Sequence, residues 1–207
     1  MTTPIAAVNL PELKKSYVSA DIVHTVLRVA ELDIGAGQCV VVLGRIGSGK
    51  STLLNLIGAM DRPTSGEVCI DGTLISTIPE RERTLCRRRS LGFIFQAYNL
   101  IPSLNVLENV TLPLALNGSD RTDTALELLA ELGIAHKATA AAEALSGREQ
   151  QRAAIARALV PAPRLILADA PTGHLQCDTP RTTSKPLHDP APRHGRPPPT
   201  SPTPAQA

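Results

Sequence analysis

The sequence predicts an α/β fold, because short buried strands alternate along the chain with segments of helical periodicity. A β-branched apolar run over residues 38–43 leads through a Gly-rich loop into a helix rich in Leu and Ile. A second short apolar run, over residues 165–168, follows a long helical stretch and predicts another buried strand. Residues 61–80 predict a pair of antiparallel strands joined by the hairpin signal Asp71-Gly72.

Composition and charge describe a globular chain with an aliphatic core. Of its 207 residues, 43% are hydrophobic but only 2% are aromatic, so Leu, Ile, Val and Ala must fill the interior. The net charge of +2 does not favour nucleic acid as a partner, and the basic cluster over residues 81–89 is expected to be an exposed helix face. Four cysteines without C-x-x-C spacing are typical of a cytosolic protein. Neither a signal peptide nor a membrane-spanning segment is expected.

The loop after the first buried strand carries the most informative pattern, G-x-x-x-x-G-K-S. It comprises Gly44, Gly47, Ser48, Gly49, Lys50 and Ser51, with Thr52 directly after it. The glycines let the backbone curl so that its N–H groups point at phosphate oxygens, and the following helix directs the positive end of its dipole at the same anion. This pattern predicts that Lys50 reaches the β- and γ-phosphates of a nucleotide and that the Ser51 hydroxyl binds Mg²⁺.

An aspartate at the end of a buried strand supplies the second element of a nucleotide site. Asp169 directly follows the apolar run over residues 165–168. Downstream of a phosphate-binding loop, an aspartate in this position holds the Mg²⁺ that bridges the β- and γ-phosphates. The two motifs together predict a site for a nucleoside triphosphate with Mg²⁺ as its cofactor.

The octet Leu-Ser-Gly-Arg-Glu-Gln-Gln-Arg over residues 145–152 closely resembles the L-S-G-G-E-Q-Q-R signature of ATP-binding cassette (ABC) ATPases. Ser146 is suited to cap a helix that begins near Gln150, whose positive end can face a γ-phosphate. A simple helix cap would explain the serine but not the whole octet. The resemblance assigns residues 1–177 to one ABC-type ATP-binding domain. It implies a RecA-like P-loop NTPase fold with an antiparallel β edge and an inserted helical subdomain at about residues 97–160.

The resemblance also implies further site residues. Gln96 matches the glutamine of the family's Q-loop, which senses Mg²⁺ and the transmembrane partner. Tyr17 lies where the family stacks an aromatic ring on adenine. Ser146 and Gly147 correspond to the residues that contact the γ-phosphate held by the P-loop of a second cassette. The expected assembly is therefore a homodimer that closes head-to-tail around two ATP molecules.

Two further stretches resemble one branch of the family. Residues 95–102 with 107–110, and residues 167–169 with 171–173, look like the corresponding parts of lipoprotein-releasing and macrolide-export cassettes. In that branch the cassette binds a transmembrane permease through the Q-loop and the helical subdomain. The resemblance therefore implies a cytoplasmic subunit, peripheral on the inner face of the cell membrane.

The sequence departs from the family pattern where the chemistry takes place. Ala170 stands in place of the glutamate that polarises the attacking water, and a positioned general base typically contributes about 10²–10⁴-fold in rate. His174-Leu175-Gln176 stands where the family has a D-loop ending in aspartate. Arg148 replaces the second signature glycine, and it either crowds the phosphate or attracts it by charge. Hydrolysis is therefore expected to be impaired.

Composition changes after about residue 177. Nine of the eighteen prolines fall between Pro180 and Pro204, and few apolar side chains accompany them. Such a segment buries too little surface to offset the entropy of ordering, so residues 178–207 are expected to form a disordered Pro-rich tail. The helix, strand and switch histidine with which the family continues do not follow here, so the C-terminal part of the core is expected to be incomplete.

Two functions are compatible with these features. The first is an ATP-binding subunit of an ABC transporter complex, which binds MgATP and couples it to an export or lipoprotein-release permease, with impaired hydrolysis. The second is a non-catalytic nucleotide-binding or regulatory cassette, or a decayed gene fragment. A P-loop kinase is disfavoured because the signature octet would then have no role.

Overall fold

The computed structural model describes residues 7–45, 47–169 and 203–206, which form two compact units. The first unit contains the described residues up to Leu85 together with the C-terminal strand, and the second contains those from Cys86 to Asp169. Among these residues, none of the helices has both the length and the apolar character needed to cross a bilayer.

An antiparallel sheet forms most of the first unit. Its strands, in the spatial order β2-β1-β4-β5, are β1 (Val8–Ser19), β2 (Ile22–Ile34), β4 (Cys69–Ile70) and β5 (Thr73–Leu74). Asp71 and Gly72 have φ angles of 53° and 76°, as the predicted two-residue hairpin turn requires. The antiparallel edge is thus confirmed. The two long strands before residue 35 exceed the short apolar runs that the sequence indicates there.

The strand that leads to the phosphate-binding loop is β3 (Val40–Leu43), and the helix after that loop is α1 (Lys50–Ile57). β3 pairs in parallel with β8 (Thr203–Gln206). These four residues therefore form a strand, whereas the sequence predicts that they belong to a disordered tail. The physical reason is that a strand edge presents unpaired N–H and C=O groups, which even a Pro-containing segment can pair at alternate positions. The rest of the tail lies outside the described residues.

A small parallel pair of strands and three helices form the second unit. The strands are β6 (Leu91–Ile94) and β7 (Leu165–Ala168), and the helices are α3 (Val106–Leu116), α4 (Thr122–Glu131) and α5 (Gly147–Leu159). Helix α2 (Glu80–Ser90) connects the two units along the chain. The three helices of the second unit lie within the range predicted to be helical, and their apolar faces share one core with Ile94.

Local sequence signals determine where the helices of the second unit begin and end. Asn105 caps α3 reciprocally with Glu108, in the arrangement of a capping box. Gly133 has φ 72° and donates its N–H to Ala130, while Ile134 donates to Leu129. This pair of hydrogen bonds is a Schellman motif and confirms Gly133 as the stop signal of α4.

Candidate functional site

The loop between β3 and α1 has a backbone that only glycine allows. Gly47 and Gly49 have φ angles of 83° and 88°, in the left-handed region. A Cβ atom at Gly49 would lie 2.8 Å from the carbonyl oxygen of Val26, and one at Gly44 would lie 2.4 Å from the hydroxyl oxygen of Ser48. The glycines of the motif therefore permit a tight curl and a close contact with β2.

Lys50 bridges the two ends of this loop. Its ammonium Nζ donates to the carbonyl oxygens of Gly44 and Arg45, each at 2.8 Å. No side chain caps α1, whose N-cap is Gly49, and the first intrahelical donor is the N–H of Leu53. The helix therefore presents backbone N–H groups and its positive dipole end beside a lysine, which is the electrostatic arrangement that binds phosphate.

Tyr17 lies next to the start of α1 in the first unit. Its hydroxyl donates to the Asp61 carboxylate at 3.0 Å, and the side chain of Thr52 in the first turn of α1 lies near that hydroxyl. The ammonium of Lys15 stands 4.7 Å from the centre of the Tyr17 ring and donates to the same carboxylate at 2.8 Å. The structure thus brings Tyr17 and Thr52 together, and it adds two residues, Lys15 and Asp61, that sequence reasoning missed.

Gln96 and Asp169 lie at the same edge of the second unit's strand pair. β6 and β7 run parallel with Ile94 opposite Ala168, and the N–H of Asp169 donates to the carbonyl oxygen of Ile94 at 3.0 Å. Both side chains follow the carboxyl ends of parallel strands, where α/β sheets place ligand contacts. Ala170 and the residues that depart from the D-loop pattern lie outside the described residues.

The donor set predicted for Mg²⁺ consists of oxygens. In the described part of the chain no cluster of three or more His, Cys, Asp and Glu residues is formed. Mg²⁺ at nucleotide sites is bound by one or two carboxylates together with phosphate oxygens and water, so it needs no such cluster. Ser51 of the first unit offers a hydroxyl, and Gln96 and Asp169 of the second unit offer an amide and a carboxylate. Each is an oxygen donor of the kind that Mg²⁺ binds.

The signature octet starts a helix at its serine. Ser146 caps α5, which begins at Gly147 and not near Gln150 as predicted. The reason is a capping box: the Glu149 N–H donates to the Ser146 hydroxyl oxygen at 3.4 Å, and the N–H and the hydroxyl of Ser146 donate to the Glu149 carboxylate at 2.8 and 2.6 Å. These hydrogen bonds, first from the hydroxyl and then from the N–H, hold the pKa of Glu149 below its usual range. Ser146, Gly147 and Arg148 are all exposed.

The segment after Gln96 has a strained conformation that sequence reasoning missed. Tyr98 and Asn99 adopt left-handed φ angles of 59° and 49°. The guanidinium of Arg157 in α5 donates to both of their carbonyl oxygens. Burial lowers the pKa of Arg157. An Asn is one of the few signals for such a turn, but no pattern indicated that Arg157 would stabilise it.

Comparison with known proteins agrees with this fold and these motifs. Residues 27–173 match the family model of the ABC transporter. The chain is 42% identical over 178 residues to the lipoprotein-releasing system ATP-binding protein LolD of Rhodopseudomonas palustris (strain BisB5), covering 84% of this chain and 77% of that protein. It is 43% identical over 175 residues to the uncharacterized ABC transporter ATP-binding protein YknY of Bacillus subtilis (strain 168), covering 83% and 76%.

A solved structure shows the same architecture. The dimeric structure of a post-hydrolysis state of the ATP-binding cassette MJ0796, bound to ADP and Pi, has a TM-score of 0.81 and 41% identity, covering 87% of this chain and 81% of that chain. Fold and glycine loop together define a P-loop ATPase cassette. The chain belongs to the ABC transporter family, of which it is an ATP-binding cassette.

Proposed function

We propose that this chain is the ATP-binding subunit of an ABC transporter complex and binds MgATP at the loop between β3 and α1. The observation that carries the proposal is the geometry of that loop. Its left-handed glycines, the Lys50 ammonium bound to Gly44 and Arg45, and the uncapped start of α1 form a cationic receptor for phosphate. Binding requires Lys50 to exchange the two carbonyl oxygens for phosphate oxygens.

Each predicted site residue has a role in this proposal. Gly44, Gly47, Ser48, Gly49 and Thr52 surround the phosphates, and Tyr17 stacks on adenine. Mg²⁺, when bound, neutralises charge on the β- and γ-phosphates. The Ser51 hydroxyl, Gln96 and Asp169 are the residues that would hold it. In phosphoryl transfer the protein mainly positions groups and compensates charge, so binding does not require a general base.

The proposed assembly is a homodimer bound to a membrane permease. Two solved structures of one relative, the cassette MJ0796, are dimeric, and several similar proteins are named for lipoprotein release. Ser146 and Gly147 are exposed at the positive end of α5, where the γ-phosphate of a nucleotide on the second subunit fits. The cassette would work on the cytoplasmic face of the membrane, coupled to an export or lipoprotein-release permease.

Hydrolysis by this subunit is proposed to be slow. Ala170 carries no group that accepts a proton or orients water, whereas the contacts of the phosphate-binding loop exist before the reaction. That same residue favours a second candidate, a non-catalytic cassette whose nucleotide binding alone is regulatory. A phosphate-release rate near the ~10 s⁻¹ typical of enzymes would exclude the second candidate.

Titration calorimetry with ATP and Mg²⁺ tests the binding site. Lys50→Ala is expected to abolish measurable binding because it removes the ammonium inside the loop. Lys14→Ala is the matched control, since it removes a lysine from β1 outside the loop. The control should be folded and should bind ATP as tightly as the unmodified chain. If Lys50→Ala then shows the same ATP affinity, the assigned site is refuted.

A further inference from the structure

We propose that Asp61 and Lys15 are positioning residues, which hold the Tyr17 ring in the orientation needed to receive the nucleotide base. The inference rests on the proposed binding of ATP and assigns a specific task to two residues outside the phosphate-binding motif. All of these residues belong to the first unit, as does the phosphate-binding loop. The juxtaposition that carries the proposal is a carboxylate bound at one oxygen by the tyrosine hydroxyl and at the other by the lysine.

The Asp61 carboxylate has a partner on each oxygen. Oδ2 accepts the Tyr17 hydroxyl at 3.0 Å, and Oδ1 accepts the Lys15 ammonium at 2.8 Å and the N–H of Arg62 at 2.7 Å. Lys15 also donates to the carbonyl oxygen of Arg62 at 2.8 Å. Burial of the carboxyl raises the pKa of Asp61, but these hydrogen bonds and the charge of Lys15 outweigh it, so the pKa lies below its usual value.

The backbone of Asp61 is itself anchored from α2. Buried Arg83 donates through Nη2 to the carbonyl oxygens of Ala59 and Asp61, at 2.7 and 2.6 Å, and through Nη1 to Glu80. Arg83 is only 4% exposed, so the expectation of an exposed basic face is wrong at this position. A helix face can turn one arginine inward when carbonyl and carboxylate oxygens accept hydrogen bonds from its Nη atoms. The backbone that carries the Asp61 carboxylate is therefore held in place by Arg83.

Tyr17 keeps a free surface despite these contacts. Its side chain is 44% exposed, so water could satisfy its hydroxyl without any protein partner. Holding the ring with Asp61 and the Lys15 ammonium costs side-chain entropy, which a solvated tyrosine would retain. The result is an oriented aromatic surface beside the first turn of α1. Stacking on a base needs such a fixed surface, and it contributes about 1–3 kcal/mol per base, or about 5- to 150-fold in affinity.

Binding of two ligands distinguishes the positioning of Tyr17 by Asp61 and Lys15 from phosphate binding by the loop and from a purely structural effect of these residues. ATP contacts both the loop and the aromatic surface, whereas inorganic tripolyphosphate has no base and depends on the loop alone. We expect Asp61→Ala to weaken ATP binding about two- to tenfold, the worth of a hydrogen bond, and to leave tripolyphosphate binding unchanged. Lys15→Met should act in the same direction. Asp33→Ala is the matched control, because it removes a carboxylate from β2, next to the strand that carries Tyr17, and this carboxylate binds Asn9 instead.

A double-mutant cycle shows whether Asp61 acts through Tyr17. In the Tyr17→Ala background, Asp61→Ala should cause no further loss of ATP affinity, because the group it positions is gone. Equal losses in both backgrounds would overturn the proposal, as would a parallel loss of ATP and tripolyphosphate binding in Asp61→Ala. If the unmodified chain binds neither ATP nor tripolyphosphate, the proposed nucleotide site itself is wrong. That result is distinct from the two outcomes that would overturn the positioning role.

The composition of the chain offers a direct spectroscopic reading. There is no Trp, and Tyr17 and Tyr98 are the two tyrosines. In Tyr98→Phe, tyrosine fluorescence therefore reports Tyr17 alone, and ATP is expected to quench it while tripolyphosphate does not. Adding Asp61→Ala should reduce the quenching measured at saturating ATP, because a mobile ring stacks only part of the time. Equal quenching at saturation with and without Asp61 would contradict positioning.

Discussion

Arg157 donates from Nη2 to the carbonyl oxygen of Tyr98 at 2.7 Å, across a gap of 59 positions in the sequence. The same guanidinium donates to Asn99, and both acceptors lie in the left-handed segment that follows Gln96. Helix α5 is therefore capped at its start by Ser146 of the octet and, near its end, holds the segment that follows Gln96. One helix and one side chain thus connect Ser146 with the segment after Gln96.

Replacing Arg157 should destabilise the second unit. Arg157→Met keeps the aliphatic stem but removes both hydrogen bonds. A hydrogen bond from a charged group contributes about 1.5–3 kcal/mol. The left-handed pair at Tyr98 and Asn99 also loses its support. Because Arg157 is only partly buried and water replaces part of the lost bonding, we expect a net loss of about 2–4 kcal/mol in the free energy of unfolding, measured by urea denaturation. Exposed Arg89 is the control, and Arg89→Ala should change stability by less than about 0.5 kcal/mol. Equal stability of the two variants would contradict the assigned role.

Removing the serine cap should weaken α5 in a graded way. Ser146→Ala deletes the hydroxyl of the capping box and is expected to cost about 1 kcal/mol, seen as a lower melting temperature. Ser146→Gly should cost only a few tenths of a kcal/mol, because glycine leaves the helix end open to water. If alanine is tolerated as well as glycine, the cap does not stabilise the helix.

The stability of the fold should depend on the charge of Glu149 in acid. Hydrogen bonds from Ser146 lower the pKa of Glu149 in the folded state relative to the unfolded chain. Its contribution is therefore fully present above the unfolded pKa of about 4.3 and is lost as the pH falls through the lower folded value. Denaturation of the natural chain and of Glu149→Gln between about pH 7 and pH 3 measures this. The stability difference between them should shrink on acidification, and a constant difference would count against the capping-box carboxylate.

Restoring a carboxylate at position 170 should accelerate hydrolysis in part. Ala170→Glu supplies the missing general base, which in a complete site contributes about 10²–10⁴-fold. The D-loop aspartate is still absent, so a gain at or below the lower end of that range is expected in steady-state phosphate release. Ala170→Gln is the matched control, because it has the same shape and cannot accept a proton. Equal rates in the two variants would show that the base is not what limits turnover.

Local signals in the sequence were sufficient for several elements. The hairpin at Asp71 and Gly72, the stop of α4 at Gly133 and the cap at Ser146 each depend on the backbone preferences of one or two residues. The phosphate-binding loop could also be predicted locally, because its glycines, its lysine and the strand and helix beside it follow one another directly in the sequence. Helix α5 begins at Gly147, and not near Gln150, because reciprocal capping between Ser146 and Glu149 extends it by one turn.

The sequence alone therefore determined the class of fold, the nucleotide loop and the signature helix, because each is encoded by neighbours in the chain. Only the tertiary structure decided which side chains support them. Asp61 reaches Tyr17 from 44 residues away, and Arg83 turns inward from a run of charges to hold the Asp61 backbone. The strand formed by Thr203–Gln206 likewise depends on the edge of β3. Such contacts are set by burial and by unpaired polar groups on distant segments, which no local pattern contains.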